Sequence, residues 1–293
     1  MELIATLHVY SGRPNPVRLL SAEEIREFLR ILRTLEVRTR LKASDIPSTL
    51  GYRGLTVTAI YGSSEITIRD GIVDLGSGQP SFLDRHRDLE KWLFENLFMD
   101  LVEPAVREEV SEYLSIQEEP DAFFKRLLRT LEFRPSAAVC VQMAEDAPVY
   151  AESEWNFSPV IKENTCYNYA NNRKLRHEAE PGIASGLTVP YTAQGLVQGA
   201  TADGLRFFGV VGTNLTPLGP GQGWYIAVAT SNKKTDFHFL RQDACGCWSH
   251  KTGKHAASNL DDDHQRIVDP ASAKLAGYSV FAYMVTTCRV NID

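Results

Sequence analysis

The sequence predicts an α+β fold with two domains. The first is an α+β domain over residues 1–134, and the second is a mostly antiparallel β domain with one packed helix over residues 135–293. In the first half, helical periodicity alternates with β-branched segments, as in a β-α-β-β-α-α unit. In the second half, glycine, asparagine and aromatic residues become frequent, and helical periodicity nearly disappears. The turn-forming segments 134–136 and 144–148 separate these two halves of different composition.

The N-terminal domain begins with a strand and a well-marked helix. Apolar and polar residues alternate over Leu3–Tyr10, which predicts a strand. Residues 11–16, Ser-Gly-Arg-Pro-Asn-Pro, interrupt regular structure because proline and glycine are concentrated there. Ser21 and Glu24 then form a capping box, in which each side chain bonds the other residue's backbone N–H. Apolar residues at helical spacing follow it, so a helix starts after Ser21.

The remainder of the N-terminal domain contains a hairpin and more helix. Leu55–Tyr61 and Glu65–Ile68 are rich in β-branched residues and are separated by a turn, which predicts a hairpin. A third short strand is predicted over Ile72–Leu75. Helices are predicted at Asp84–Phe98, Val106–Leu114 and Asp121–Leu131.

The second domain is predicted to be a sheet with one short helix near Cys166. Four segments have the apolar and β-branched composition of strands. These are Gly204–Val211, Trp224–Thr230, Asp236–Arg241 and Tyr278–Val285. A turn at Gly246 predicts a return strand that contains His250.

Composition excludes several classes of protein. The net charge of −6 and the lack of a dense basic segment argue against a nucleic-acid partner. The longest apolar runs fall short of the roughly 20 residues that span a bilayer, so no membrane partner is expected. The sequence starts without a signal-peptide pattern, and five cysteines are too few for a disulfide scaffold. We therefore expect a cytoplasmic protein with reduced thiols.

No metal and no cofactor are expected. Cys245-Gly-Cys247 together with His238 and His250 imitates a zinc site. A Cys-x-Cys pair is, however, a poorer tetrahedral chelate than Cys-x₂-Cys, and the chain has no second pair. The acidic run at 261–263 suggests a divalent cation, but acidic loops are usually just solvated.

Cys166 is the candidate catalytic nucleophile. It lies at the start of a short predicted helix, where unpaired N–H groups favour a thiolate. A general base must lie within about 3 Å of the thiol, and His238 and His250 are the candidates. The alternative is that Cys166 is a small buried residue and the histidines have structural roles. The asparagines around Cys166 then cap the helix and order loops.

Aromatic residues in the second half are candidate peptide-binding groups, because Trp, Tyr and Arg contribute most to binding at interfaces. They are Trp155, Tyr167, Tyr169, Trp224 and Trp248. Their alternative role is in the core. An extended peptide could also add as a strand to a free sheet edge, in the second half or in the first. In the first half, the rigid loop that contains Arg13 is expected to lie beside that edge.

Motifs in both halves resemble known protein groups. In the second half they are Asn164-Thr-Cys-Tyr-Asn-Tyr-Ala-Asn171, Phe239-Leu-Arg-Gln-Asp243 and Trp248-Ser-His-Lys-Thr-Gly253. These resemble bacterial proteins with a papain-like or NlpC/P60-like cysteine-hydrolase arrangement. In the first half they are Ser11-Gly-Arg-Pro-Asn-Pro16, Leu50-Gly-Tyr-Arg-Gly54 and Leu89-Glu-Lys-Trp92. The chain as a whole resembles the peptide-binding proteins of crocagin-type pathways, which make ribosomally synthesised, post-translationally modified peptides.

The resemblance implies a protein that binds a precursor peptide and presents it to tailoring enzymes. The alternative is a papain-like Cys–His hydrolase, transferase or cyclase. In small hydrolases of that type, the catalytic histidine usually heads the first strand after the nucleophile helix. Here that strand begins at Gly223-Trp224, without a histidine, so we favour binding over catalysis. A third possibility is an inert scaffold that holds other enzymes together.

Overall fold

The structure is a computed structural model that describes residues 2–35, 38–39, 42–43, 46, 49–61, 65–76, 79–116 and 140–293. It has the predicted α+β class and divides into two compact units. The N-terminal unit comprises Met1–Val9, Asn15–Pro47 and Tyr52–Phe133. The C-terminal unit comprises Tyr10–Pro14, Ser48–Gly51 and Arg134–Asp293. The predicted boundary at residue 134 and the predicted helix at 121–131 lie outside the described residues.

The N-terminal unit is built on a seven-stranded sheet whose neighbouring strands pair antiparallel, in the order β2-β1-β4-β5-β6-β7-β3. The strands are β1 (Leu3–Leu7), β2 (Val17–Leu19), β3 (Arg38–Thr39), β4 (Leu55–Ala59), β5 (Glu65–Arg69), β6 (Ile72–Asp74) and β7 (Ser81–Leu83). The predicted hairpin and third strand are β4, β5 and β6. The very short β2 and β3 form the two edges of the sheet.

The first helix of this unit, α1 (Ala22–Thr34), begins as predicted. The Ser21 hydroxyl accepts the Glu24 N–H at 3.2 Å, and the Glu24 carboxylate accepts the Ser21 N–H at 2.7 Å. The capping box is therefore confirmed. Phe28 and Ile31 are the buried residues of this helix.

The second helix starts later than predicted. It consists of α2 (Asp88–Leu93), continued by a π-helical turn over Phe94–Phe98. Asp84, the predicted start, lies before the helix, and its carboxylate accepts the N–H groups of Asp88 and Leu89 at 3.1 and 2.8 Å. A carboxylate at this place satisfies backbone donors that lack helical partners. The third helix is α3 (Pro104–Ser115).

The C-terminal unit contains a six-stranded antiparallel sheet in the order β12-β11-β10-β9-β13-β8. Its strands are β8 (Arg206–Val210), β9 (Trp224–Ser231), β10 (Phe237–Gln242), β11 (Trp248–Lys251), β12 (Ala257–Ser258) and β13 (Tyr278–Thr286). The four predicted strands and the return strand with His250 are confirmed. The turn before β11 contains Gly246 at φ +83°.

Among its described residues, the C-terminal unit contains four α-helices, whereas the sequence predicts one. The helices are α4 (Glu152–Trp155), α5 (Val160–Glu163), α6 (Cys166–Ala170) and α7 (Ala193–Ala202). The unpredicted α7 contains Gly195 and Gly199, which lower helix propensity and hide the helix from sequence patterns. Both glycines permit close approach: an added Cβ would lie 2.3 Å from the Pro190 carbonyl and 2.7 Å from the Pro181 carbonyl.

The expectation that all thiols are reduced is wrong for two of the cysteines. Cys140 and Cys247 form a disulfide with a Cα–Cα distance of 4.9 Å. Cys247 is therefore not available as a ligand of a zinc site with Cys245 and the two histidines. Cys166 is a buried free thiol, whereas Cys245 and Cys288 are exposed free thiols. None of the described helices combines the length and apolar character needed to cross a membrane.

Candidate functional site

The two faces of β10 determine which candidate residues meet. Phe239 and Arg241 face helix α6: the Phe239 ring lies 4.8 Å from the Tyr167 ring, and Arg241 donates to the Tyr169 carbonyl at 3.2 Å. Side chains alternate along a strand, so His238 projects from the opposite face. The sheet therefore lies between His238 and helix α6, which carries Cys166.

Cys166 lies in a setting that disfavours a nucleophile. Its side chain is fully buried at the start of α6. Burial raises the pKa of the Cys166 thiol, and the nearby Asp236 carboxylate raises it further. A helix of five residues supplies too little dipole to offset these effects. The thiol therefore stays protonated at neutral pH, contrary to what its position in the sequence suggested.

The two candidate bases bond each other rather than the thiol. His238 Nε2 lies 2.8 Å from His250 Nδ1, and His250 Nε2 lies 3.0 Å from the Leu260 carbonyl. A carbonyl only accepts, so His250 Nε2 carries hydrogen and its Nδ1 accepts from His238. Burial lowers the pKa of His250 to about 4, which keeps the ring neutral. The structure does not bring Cys166 together with either histidine.

The asparagines around Cys166 serve the fold. Asn164 and Asn168 are fully buried. Asn164 exchanges hydrogen bonds with the Leu175 backbone, at 2.8 and 3.0 Å. Asn168 accepts the Ala179 N–H at 3.0 Å. These side chains hold the loop after α6 against the helix, in agreement with the alternative in which the asparagines cap the helix and order loops.

The five candidate aromatic residues lie in the core. Trp155, Tyr167, Tyr169, Trp224 and Trp248 are all buried. The Trp155 ring meets the Tyr169 ring edge-on at 4.9 Å, and Trp224 Nε1 donates to the Ala170 carbonyl at 2.9 Å. Their apolar area stabilises the packing of α6 on the sheet. A peptide cannot reach them in this structure, which corrects their assignment as binding anchors.

Arg13 is held inside the C-terminal unit. Its guanidinium stacks 3.7 Å above the Tyr10 ring and lies 5.6 Å from the centre of the Tyr191 ring. The loop around it is anchored by Asp236, which accepts the Ser11 N–H at 2.6 Å. Cation–π stacking of this kind positions the arginine side chain. Arg13 therefore has a structural explanation that does not require a peptide.

An open sheet edge is present at β2 in the N-terminal unit. Among the strands that the structure describes, β2 pairs only with β1. Leu7 N–H donates to the Pro16 carbonyl at 3.0 Å, and Leu20 N–H donates to the Leu3 carbonyl at 2.9 Å. In an antiparallel pair, alternate residues bond the neighbouring strand. Residues 16, 18 and 20 therefore face β1.

The backbone groups of Val17 and Leu19 consequently point away from the sheet. Within the part of the chain that the structure describes, the N–H and C=O groups of these two residues have no hydrogen-bond partner. Both side chains are 56% exposed. An edge of this kind presents a template for another extended chain. Sequence patterns predict a free edge in the first half only in general terms, because a three-residue strand after Pro16 has too short a pattern to recognise.

The β8 edge of the C-terminal unit is less open. Its Phe207 and Val210 side chains are 46% and 60% exposed. Its register against β13 slips by one residue at Phe208, however, which indicates a bulge. The Val210 carbonyl also accepts the Thr213 N–H at 3.0 Å. A bulge and a carbonyl that already accepts a hydrogen bond both make it harder for another strand to pair with this edge.

Comparisons with known proteins give one informative relative. No known family model matches the chain, and no solved structure is significantly similar to it. The chain is 36% identical over 149 residues to "Insoluble matrix shell protein 1" of Ruditapes philippinarum. The alignment covers 50% of this chain and 91% of that protein. At this identity and coverage, the chain belongs to the same family as insoluble matrix shell protein 1.

Proposed function

We propose that this protein binds an extended peptide, which adds as a strand to the β2 edge of the N-terminal unit. The observation that supports this is the pair of outward-facing residues Val17 and Leu19. Each presents one N–H and one C=O, so together they offer two donors and two acceptors. Main-chain bonds of this kind give affinity, and side-chain pockets give specificity.

The side chains along the edge indicate which peptide residues fit. Val17 pairs with Thr6 and Leu19 pairs with Ile4 across the β1–β2 register. These four residues share one face of the sheet, and it is partly exposed. A peptide strand beside Val17 and Leu19 continues that face, where β-branched and apolar residues pair well. Each cross-strand pair contributes roughly 0.2–1 kcal/mol.

The proposed partner is a ribosomal precursor peptide that is then presented to tailoring enzymes. This part of the proposal depends on the resemblance to crocagin-type peptide-binding proteins. It is consistent with the burial of Cys166, since presentation requires no nucleophile. A net charge of −6 supports neither a nucleic-acid nor a membrane partner.

Isothermal titration with the precursor peptide tests this function. The informative variant is Leu19→Pro, because proline removes an outward N–H and leaves the bonds to β1 in place. Leu19→Thr is the matched control, since it keeps the N–H and the β propensity. We expect Leu19→Pro to abolish binding and Leu19→Thr to retain it. Equal binding by both variants would exclude strand addition at β2.

A second candidate function is assembly of copies of this chain. The relative's name places it in an insoluble matrix, and an open edge such as β2 can pair with the same edge of another copy. Sedimentation of the protein without peptide separates the two functions. Assembly predicts concentration-dependent oligomers that Leu19→Pro disperses, whereas peptide binding predicts a monomer that pairs only with the added peptide.

Cytoplasmic residence stays a prediction of the sequence. The Cys140–Cys247 disulfide favours an oxidising compartment instead, because disulfides are rare in the cytosol. We propose that the protein works where this bond persists.

A further inference from the structure

A groove runs along α1 in the N-terminal unit. Its volume is about 870 Å³, and α1 lines one side while Trp92 and Asn96 line the other. Leu29 and Trp92 supply apolar surface to it. Trp92 is only partly buried, so part of its ring is available for contact. A partly exposed tryptophan in a concave surface is a typical anchor for a bound side chain.

The groove begins beside the β2 edge. Arg18, the central residue of β2, points to the helix side of the sheet and donates to Glu24 at 2.7 Å and to the Leu97 carbonyl at 3.2 Å. Glu24 lines the groove, and Leu97 follows the groove residue Asn96. A chain paired with β2 would therefore run close to the groove.

The charges of the groove are only partly balanced. Glu24 is engaged by Arg18, and Glu27 by Arg30 at 2.6 Å. Arg26, Arg33 and Glu23 line the same groove and form no ion pair with any residue that the structure describes, so these three side chains together carry one net positive charge. Unpaired arginines on a concave surface favour carboxylate ligands, which they bind with paired hydrogen bonds.

We propose that this groove receives the flanking segment of the peptide bound at β2, and that this segment is acidic with one large apolar side chain. The inference rests on the proposed function, since it concerns the same peptide. The apolar side chain packs on Trp92 and Leu29, and two carboxylates pair with Arg26 and Arg33. Those arginines are seven residues apart on α1, roughly 10 Å along a helix. That distance corresponds to about three residues of extended chain.

Three synthetic peptides, one short and two long, test the proposal by fluorescence anisotropy. The short peptide has about five alternating Val and Thr residues, enough to pair with β2. The long peptides carry the same residues and, at either end, a segment with one Leu and two Glu three positions apart. We expect one of the long peptides to bind about tenfold more tightly than the short one.

Matched charge reversals locate the gain in affinity. Arg33→Glu is expected to return the long peptide to the affinity of the short one. Arg85→Glu is the control, because Arg85 is exposed in the same unit, outside the groove, and the substitution changes the net charge equally. Trp92→Ala is expected to lower the affinity for the long peptide and to leave the short peptide unaffected.

The outcomes separate this inference from the proposed function. If the short and long peptides bind equally and Leu19→Pro abolishes both, the groove proposal fails and strand addition stands. If neither peptide binds, strand addition itself is contradicted. If the long peptide binds as well to Leu19→Pro as to the wild type, the groove binds peptide without the β2 edge, and the proposal that one peptide occupies both is wrong. Equal losses of affinity for the long peptide in Arg33→Glu and Arg85→Glu would show that the effect depends only on the net charge of the protein.

Discussion

Glu90 is a fully buried carboxyl group in the N-terminal unit. Its Oε1 accepts the Tyr52 hydroxyl and its Oε2 accepts the Gly71 N–H, both at 2.8 Å. Burial, followed by repulsion from Asp70, raises the pKa of Glu90 from 4.5 to about 7. The motif Leu50-Gly-Tyr-Arg-Gly54 therefore contributes a tyrosine to a structural network.

This raised pKa predicts a pH-dependent stability. The folded state holds the Glu90 proton more tightly than the unfolded state, so its contribution to stability is greatest below pH 4.5. It falls as pH rises to about 7, by up to about 3 kcal/mol. Urea unfolding at pH 5 and pH 8 measures this. Glu90→Gln cannot titrate and is expected to remove this part of the slope. Parallel slopes in the two proteins would contradict the account.

Cys166 is expected to be chemically inert in the folded protein. Its thiol is buried and protonated, whereas the Cys245 and Cys288 thiols are exposed. Iodoacetamide is expected to label Cys245 and Cys288 in the native protein and Cys166 only after unfolding, as measured by peptide mass. Cys166→Ala is expected to bind peptide as well as the wild type. An acyl adduct on Cys166 would overturn this assignment.

Residue patterns around Cys166 correctly predicted the start of a short helix, but the Cys166 thiol is buried and lies away from both candidate histidines. The helix start, the asparagines and the aromatic residues were all visible in the sequence. What the sequence did not show is that α6 packs against one face of β10 while His238 lies on the other. That separation depends on the pairing of distant strands, which local patterns do not specify. Because of the same packing, Trp155 and Trp224, which the sequence suggested as ligand contacts, are core residues.

At the scale of elements, strong periodicity predicted most of the strands and the start of α1. The elements that escaped prediction have weak local patterns. β2 has three residues, and α7 contains two glycines at positions where helices disfavour them. Both matter for the account: β2 is the proposed binding edge, and α7 packs on the sheet of the C-terminal unit.

The glycines of α7 give a prediction that opposes helix propensity. Gly199→Ala raises intrinsic propensity, but its Cβ would lie 2.7 Å from the Pro181 carbonyl. We therefore expect a loss of about 1–3 kcal/mol in unfolding free energy. Gln198→Ala is the control, because Gln198 is exposed in the same helix. Urea denaturation measures both variants. A more stable Gly199→Ala protein would show that the helix moves away from Pro181 at little cost.

For the whole chain, the sequence predicts two regions that differ in composition and periodicity, and the structure has two compact units. The boundary between the units is not a single point in the sequence, however. Tyr10–Pro14 and Ser48–Gly51 lie in the first half of the chain but belong to the C-terminal unit. The Asp236 carboxylate explains the first of these, because it accepts the Ser11 and Gly12 N–H groups at 2.6 and 3.1 Å. Contacts over such long sequence distances leave no local signal.

The Cys140–Cys247 disulfide links positions 107 residues apart. A cross-link of this length removes conformational freedom from the unfolded chain. Cys140→Ser is therefore expected to lower the unfolding free energy by about 2–5 kcal/mol under oxidising conditions. Adding reductant should have the same effect on the wild type and none on the variant. An equal stability of both proteins in oxidising buffer would mean that the bond does not form.

Hydrogen exchange at β2 is a direct test of strand addition at this edge. The amides of Val17 and Leu19 point away from the sheet, so they exchange freely in the protein alone, whereas the Arg18 amide is already protected by β1. Adding the precursor peptide is expected to slow exchange at residues 17 and 19 and to leave residue 18 unchanged. Saturating peptide with no slowing at either amide would contradict strand addition at this edge.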